Sequence, residues 1–406
     1  MNKYNVWNKW DKLKTVVLGN HYDSGFFKDI KNLKIRSALQ RIADETQEDL
    51  DYYETVLKDF GCRVIRPELD RNDSIINYIN TDTNAIAGVP RSPLQVRDTQ
   101  LVIGNHLYYT GKDHNSIEKC LNLYNDNDVV DWTAIEPNLD WHSDHRVWDR
   151  NRWDCLSGCD WGTFEDYKND PDYFINLPDS IRQEIFEYHK YEMEVVPAPS
   201  VTLVGRDLYI DQGDRIFREQ QIESIVDKIP NIRINLLNHG GHSDGCFHTV
   251  KNGAILSLYD IQSYNNTFPD WDVCYLPDQS WDKIGGFINL KKQVNGKWWV
   301  PGEEDNQEFT HFVETWLQDW VGYVEETVFD VNVLVLDEHH VCVSNMNPAV
   351  TKFLKKHNME PVHVPWRHRY FWDGGLHCIT LDLERESKQE DYFLERSNTG
   401  IIDHGF

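Results

Sequence analysis

A unit of two short strands joined by a tight turn, followed by a helix and a returning strand, recurs along this chain. That recurrence limits the possible folds more than any other feature of the sequence. The first copy has a strand at TVVLGN, a helix from about Ser37 to Phe60 and a strand at CRVIRP. Ile42, Thr46, Leu50, Tyr53 and Leu57 fall on one helical stripe, and Gly61 suits the helix end. QLVIGNHLYYT reads as a hairpin, and TLVGRDLYIDQ, a helix over Ile216 to Ile229, and IRINLL form another set. GAILSLYD with WDVCYL fits a third, while VNVLVLDEHHVCVSN, a helix from Pro348 to His357, and PVHVPW repeat the pattern. LHCITLDLER reads as a strand able to close onto the start. No such unit can bury a two-sided core alone, so the copies are expected to pack around a shared axis as one α/β unit spanning residues 1–406.

The pattern breaks between about Val130 and Tyr191. A Trp- and Asp-rich insertion over about 130–162 is followed there by the helical stretch SIRQEIFEYHKYEME, and the insertion is expected to form a lid or an assembly surface.

Charge narrows the partners. With 41 Lys and Arg against 67 Asp and Glu, the formal charge is −26, which repels nucleic acid and anionic membranes and favours a cationic small molecule. The amino-terminal MNKYNVWNKWDKLK lacks the apolar stretch of a signal peptide, and no apolar run approaches the roughly 18 residues of a membrane span, so a cytoplasmic location is expected. Eight cysteines are too thinly scattered for a disulfide scaffold, which predicts buried thiols with room for one reactive member.

Four segments place ionisable groups where loops should leave strands: QVRDTQ with Asp98, VGRDLY with Asp207, GGHSDG with His242 and Asp244, and DGGLHC with Cys378. Gly374 and Gly375 permit close backbone approach just before Cys378. A thiol needs a base or a cation nearby to act as a thiolate, and His242 can supply the base. In an extended segment His242 and Asp244 would share a face. Asp207 and Asp244 together would suit a guanidinium, whose planar donors pair with carboxylates. The bland readings are a buried cysteine and polar turns. A metal reading competes at His239, His242, Asp244 and His248, and a second at His142, His145, Cys155 and Cys159, whose spacing fits no standard finger and whose Trp-rich surroundings suit packing equally; no metal or cofactor is expected.

Taken in order, YNVWNKWDKLKTVVLGN, VRDTQLVIGN, VGRDLYID, HSDGCF, NVLVLDEHHVCVSN and GGLHCITLDLER resemble the amidinotransferase family, within the wider superfamily of guanidino-group-modifying enzymes. The resemblance runs along nearly the whole chain. It implies a five-bladed pseudo-symmetric α/β propeller (pentein) of strand-strand-helix-strand modules. It further implies Cys378 as nucleophile, His242 as acid/base, Asp207 and Asp244 as guanidinium-holding carboxylates, Asp98 as a further active-site aspartate and Gly375 at the substrate. L-arginine would be the donor, a small amine such as glycine the acceptor, and L-ornithine the leaving product; a homodimer is a further expectation. Hydrolysis on the same residues, as in deiminases and dihydrolases, is the rival, with an inert arginine-binding protein behind it. Two departures stand out. Ile261 occupies the position of the arginine that binds the substrate carboxylate, and Asp330 replaces a small polar residue near the substrate, where it is expected to read an amine.

Overall fold

The structure is a computed structural model that describes residues 3–79, 89–110, 128–132, 198–211, 218–237, 242–258, 264–276, 300–317, 320–321, 329–397 and 400–404. The helix expected over 180–194 and nearly all of the 130–162 insertion lie outside these residues.

Strand β1 (Leu13–Leu18) pairs parallel with β2 (Arg63–Ile65) across the helix Leu33–Asp59. Hairpin β3 (Gln100–Ile103) and β4 (His106–Tyr109) takes β5 (Val129–Asp131) as a parallel neighbour of β4. The same plan, an antiparallel hairpin plus one parallel strand, joins β6 (Val201–Val204), β7 (Asp207–Asp211) and β8 (Arg233–Leu237). It recurs in β9 (Phe247–Lys251), β10 (Ala254–Ser257) and β11 (Asp272–Tyr275), and again in β12 (Leu334–Asp337), β13 (His340–Val343) and β14 (Glu360–His363). Finally β15 (Thr380–Arg385) lies antiparallel to β1, and β16 (Gly400–Asp403) extends the third sheet beside β8. The described residues thus form five small sheets of one local topology, which makes the chain α/β. As expected, LHCITLDLER closes onto the start, although its strand begins only at Thr380.

The first helix starts earlier than its periodicity suggested, because the Asn32 side chain caps it by accepting from Lys34 N. Gly61, at φ 82°, ends it where a side chain would be strained, with Cys62 N bonded back to Leu57 O. The stripe of Ile42, Leu50, Tyr53 and Leu57 packs with Leu13, Val16 and Leu18 of β1 in one buried cluster. Each such aliphatic or aromatic side chain contributes about 1.5–3 kcal/mol by leaving water. The helices Arg218–Val226 and Pro348–Lys356 fill the corresponding places in the third and last hairpin sheets.

Strands β3, β6 and β15 send Leu101–Ile103, Val201, Leu203 and Asp382 to a common cavity of about 30 Å³, which Lys9 also lines from the amino-terminal segment. No helix among the described residues is long and apolar enough to cross a membrane.

Candidate active site

Cys378 sits in the turn between the short helix Arg369–Trp372 and β15, with 1% of its surface exposed. Trp366 Nε1 anchors the turn by donating to Gly374 O at 2.8 Å. A Cβ at Gly375 would lie 2.4 Å from Asn332 Oδ1, so only glycine lets Asn332 reach the turn. Asn332 Oδ1 accepts from the backbone N–H groups of His377 (2.9 Å) and Cys378 (3.2 Å), and these two donors identify that end of the amide as oxygen. Its Nδ2 then donates to Cys378 Sγ (3.1 Å) and Asp244 O (3.2 Å). One buried amide therefore holds the thiol, the turn that carries it and the Asp244 backbone together. A donor on sulfur favours the thiolate.

Asp244 reaches the same point from the other side. It lies in a helical turn, Ser243–Cys246, with His242 at the N-cap, so the extended His-x-Asp arrangement is replaced by the start of a helix. Asp244 Oδ2 is 2.7 Å from His377 Nδ1 and 3.6 Å from Cys378 Sγ. Burial, then Arg97 and Lys9, push His377 well below the usual histidine range. Its ring is accordingly neutral, Nδ1–H donates to the Asp244 carboxylate, and Nε2 is left as a bare acceptor. The His248 ring meets that of His377 edge-on at 4.7 Å, and burial drives it strongly toward the neutral form as well. His377 Nε2, Asp244 Oδ1 and both His248 nitrogens are buried without a hydrogen-bond partner among the described residues.

Behind this cluster, Arg97 donates through Nε to His377 O (3.0 Å) and Thr380 O (2.8 Å), and through Nη2 to Asp382 Oδ1 (2.6 Å). Arg385 Nε meets the other Asp382 oxygen at 2.6 Å. Burial alone would raise the Asp382 carboxyl, but Arg385 and Arg97 outweigh it and hold it far below the usual range. Burial pushes the Cys62 thiol up to about 11 and the Cys342 thiol up as well, which makes both poor nucleophiles.

The expected site residues do not all converge. Asp207 is fully buried, but it is already spent: Arg233 Nη2 lies at 2.6 Å from Oδ2 and Arg396 Nη1 at 2.8 Å from Oδ1, with Asn235 Nδ2 at 3.1 Å. It holds guanidinium groups of its own chain. Asp98 follows Arg97, whose N–H bonds to Cys378 O at 3.3 Å, and its carboxylate is 3.9 Å from Arg91 Nη2. Asp330 Oδ1 and Oδ2 accept from Asn345 (3.1 Å) and Asn347 (2.8 Å), which ties its carboxylate to the segment after β13. Ile261, His239, His142, His145, Cys155 and Cys159 lie outside the described residues. Among those described, no three His, Cys, Asp or Glu side chains converge as metal ligands.

Sequence reasoning missed His377, Asn332 and Lys9. His377 directly precedes Cys378, and reading the segment as strand would have sent it to the opposite face.

No family model matches the chain. It is 31% identical over 72 residues to an L-arginine:L-lysine amidinotransferase of Pseudomonas savastanoi pv. phaseolicola, and 36% identical over 64 residues to the mitochondrial glycine amidinotransferase of Danio rerio. These stretches are 18% and 16% of this chain and only 20% and 15% of those proteins. Among solved structures, SxtG, an amidinotransferase of Microseira wollei in the saxitoxin biosynthetic pathway, superposes with a TM-score of 0.58 at 18% identity over 96% of this chain and 100% of its own. Inosamine-phosphate amidinotransferase StrB1 of Streptomyces griseus gives 0.57 at 17% identity over 97% and 99%. The structural likeness establishes a shared fold. The local sequence matches are to amidinotransferases, and the chain spans only about a fifth or less of the length of those two relatives in the matched stretches.

Proposed function

We propose that this protein moves the amidino group of L-arginine to a primary amine through a covalent intermediate on Cys378. The observation that carries this reading is the position of Cys378 Sγ, 3.1 Å from the Asn332 amide donor and 3.6 Å from Asp244 Oδ2. The thiol gives its proton to His242, and the thiolate attacks the guanidinium carbon while the Asp244 carboxylate holds its nitrogens and Asp98 orients His242 or the substrate. His242 protonates the departing nitrogen, the C–N bond to ornithine breaks, and the amidino group remains on sulfur. An acceptor amine then attacks that carbon and returns the thiolate. Gly375 belongs to this site through the approach it allows Asn332. The acceptor is glycine or another small amine, and Asp330 is the residue we assign to reading it. The five sheets of one topology, closed by β15 on β1, support arrangement as a five-bladed ring whose inner strands line the central cavity. No cofactor enters the reaction; a homodimer and a cytoplasmic setting complete the reading.

The test is to incubate the protein with arginine labelled at the guanidino carbon, with and without a set of amines, and to follow products and intact mass. The expected result is an adduct on Cys378, ornithine, and label in one amine. Label in citrulline, urea or carbon dioxide would replace transfer with hydrolysis on the same cysteine.

A further inference from the structure

Lys9 is a lysine where the fold gives a lysine little reason to be. It is 8% exposed, and Thr202 Oγ1 accepts one of its three protons at 3.3 Å; among the described residues no other acceptor meets the remaining two, which face the cavity it lines with Asp244, His377, Arg97 and Asp382. That cavity is about 30 Å³, room for a single water. Two of its walls, Asp244 and His377, carry buried acceptors with no partner among the described residues, Oδ1 and Nε2. A buried acceptor without a partner costs on the order of 1–3 kcal/mol, so a donor is expected to reach them.

We propose that Lys9 is the internal counter-ion of the Asp244–Cys378 pair: across one water in the cavity its ammonium offsets the Asp244 charge and so sets how much of Cys378 is thiolate at neutral pH. Asp244 Oδ2 lies 3.6 Å from the sulfur, where a lone carboxylate disfavours a second negative charge. A cation on the far side of that carboxylate relieves the repulsion. The groups around Lys9 come from every packed element: Asp244 from the helical turn, Arg97 from the segment before β3, His248 from β9, His377 from the cysteine turn, and Asp382 with Arg385 from β15. Arg97 and Arg385 are occupied by Asp382, so among the described residues Lys9 is the cation left to serve Asp244. Consistent with this, burial draws the Lys9 ammonium down to about 8, with Asp244 the largest influence opposing that fall. Lys9 is thus a positioning residue.

The inference rests on Cys378 being the nucleophile, and its test reads the thiol directly. The ultraviolet thiolate absorbance of the whole protein is titrated, and the curve of the Cys378→Ser variant is subtracted to leave Cys378 alone. Lys9→Met is expected to raise the Cys378 transition by about one pH unit, roughly a tenfold loss of thiolate at neutral pH, and Lys9→Arg to restore most of it. Should Lys9→Met fail to fold by far-ultraviolet circular dichroism, the unaltered protein still decides. Its Cys378 curve is expected to be broader than a one-proton curve, because Lys9 gives up its proton over the same range. An unmoved transition in Lys9→Met, or a simple one-proton curve in the unaltered protein, overturns the proposal. A shifted transition in a protein that turns over no arginine would overturn the proposed reaction and leave the role of Lys9 standing.

Discussion

Two buried carboxylates in this molecule have opposite surroundings. Asp207 is gripped by Arg233, Arg396 and Asn235, and Asp391 shares Arg233 in turn. Among the described residues no buried side-chain polar atom of this cluster lacks a partner, and the result ties β7, β8 and the segment around Phe393 together. Asp244 has one oxygen on His377 and the other on nothing among the described residues, with two neutral histidines, a thiol and a lone lysine close by. A satisfied cluster stabilises a fold, whereas an unsatisfied one retains capacity for a ligand or a proton. Burial alone would have ranked the two aspartates equally.

The comparison breaks most visibly at Cys378. Cys378→Ala should lower turnover of labelled arginine by about 10⁴-fold or more while shifting the unfolding midpoint little, since the surrounding hydrogen bonds through Asn332 to the backbone remain. Comparable turnover in that variant would sink the nucleophile assignment. On the other side, Arg233→Met should cost about 3–5 kcal/mol in denaturant titration, because it removes the Asp207 Oδ2 partner from a buried ion-pair cluster and leaves only Arg396 and Asn235 on the other oxygen. Its folded fraction should keep its turnover per molecule; a collapse of turnover with stability intact would mean that Asp207 serves the substrate after all. Asn332→Ala removes a donor to sulfur and the acceptor for two backbone N–H groups, so about 1–3 kcal/mol of stability and a slower thiol reaction with iodoacetamide are expected together.

Acid sharpens the contrast with the smallest effect. Burial lowers His404, on the Asn235 side of the Asp207 cluster, to about 4, and lowers His21 to about 4 as well. Because the folded chain keeps these rings neutral, their contribution is complete above about 6.5 and is lost as pH falls through about 4. His404 is only half-buried, so its share is discounted for solvent screening to roughly 1 kcal/mol. His404→Gln should flatten the acid limb of a stability–pH curve by about that amount; an unchanged limb would place the titration elsewhere.

Local features of the fold were legible in the sequence. The stripe of the first helix, the hairpins and the closing strand follow from spacing and turn residues, and the structure contains them. The site was readable where chemistry gathers in short strings, as at Cys378 and Asp244. What escaped was tertiary. Arg233 lies 26 positions from Asp207, and no local pattern announces that their side chains meet. Lys9 sits in a polar stretch that reads as surface until three sheets enclose it. Asn332 stands in an apolar run, where a single amide looks like an interruption rather than the clamp of a turn 46 positions away.

The pairing of β15 with β1 has a consequence for how the molecule comes into being. Asn5 Nδ2 donates to Arg385 O across 380 positions, and β1 runs beside β15 for its whole length. As the chain leaves the ribosome, β1 can form its parallel contact with β2 early, but its other edge stays bare until residues past Cys378 have been made. The cysteine, its turn and the strand that supports them are therefore assembled in one late event. Until then the newborn chain carries an open strand edge, an invitation to chaperones or to a neighbouring copy, and no preformed nucleophile.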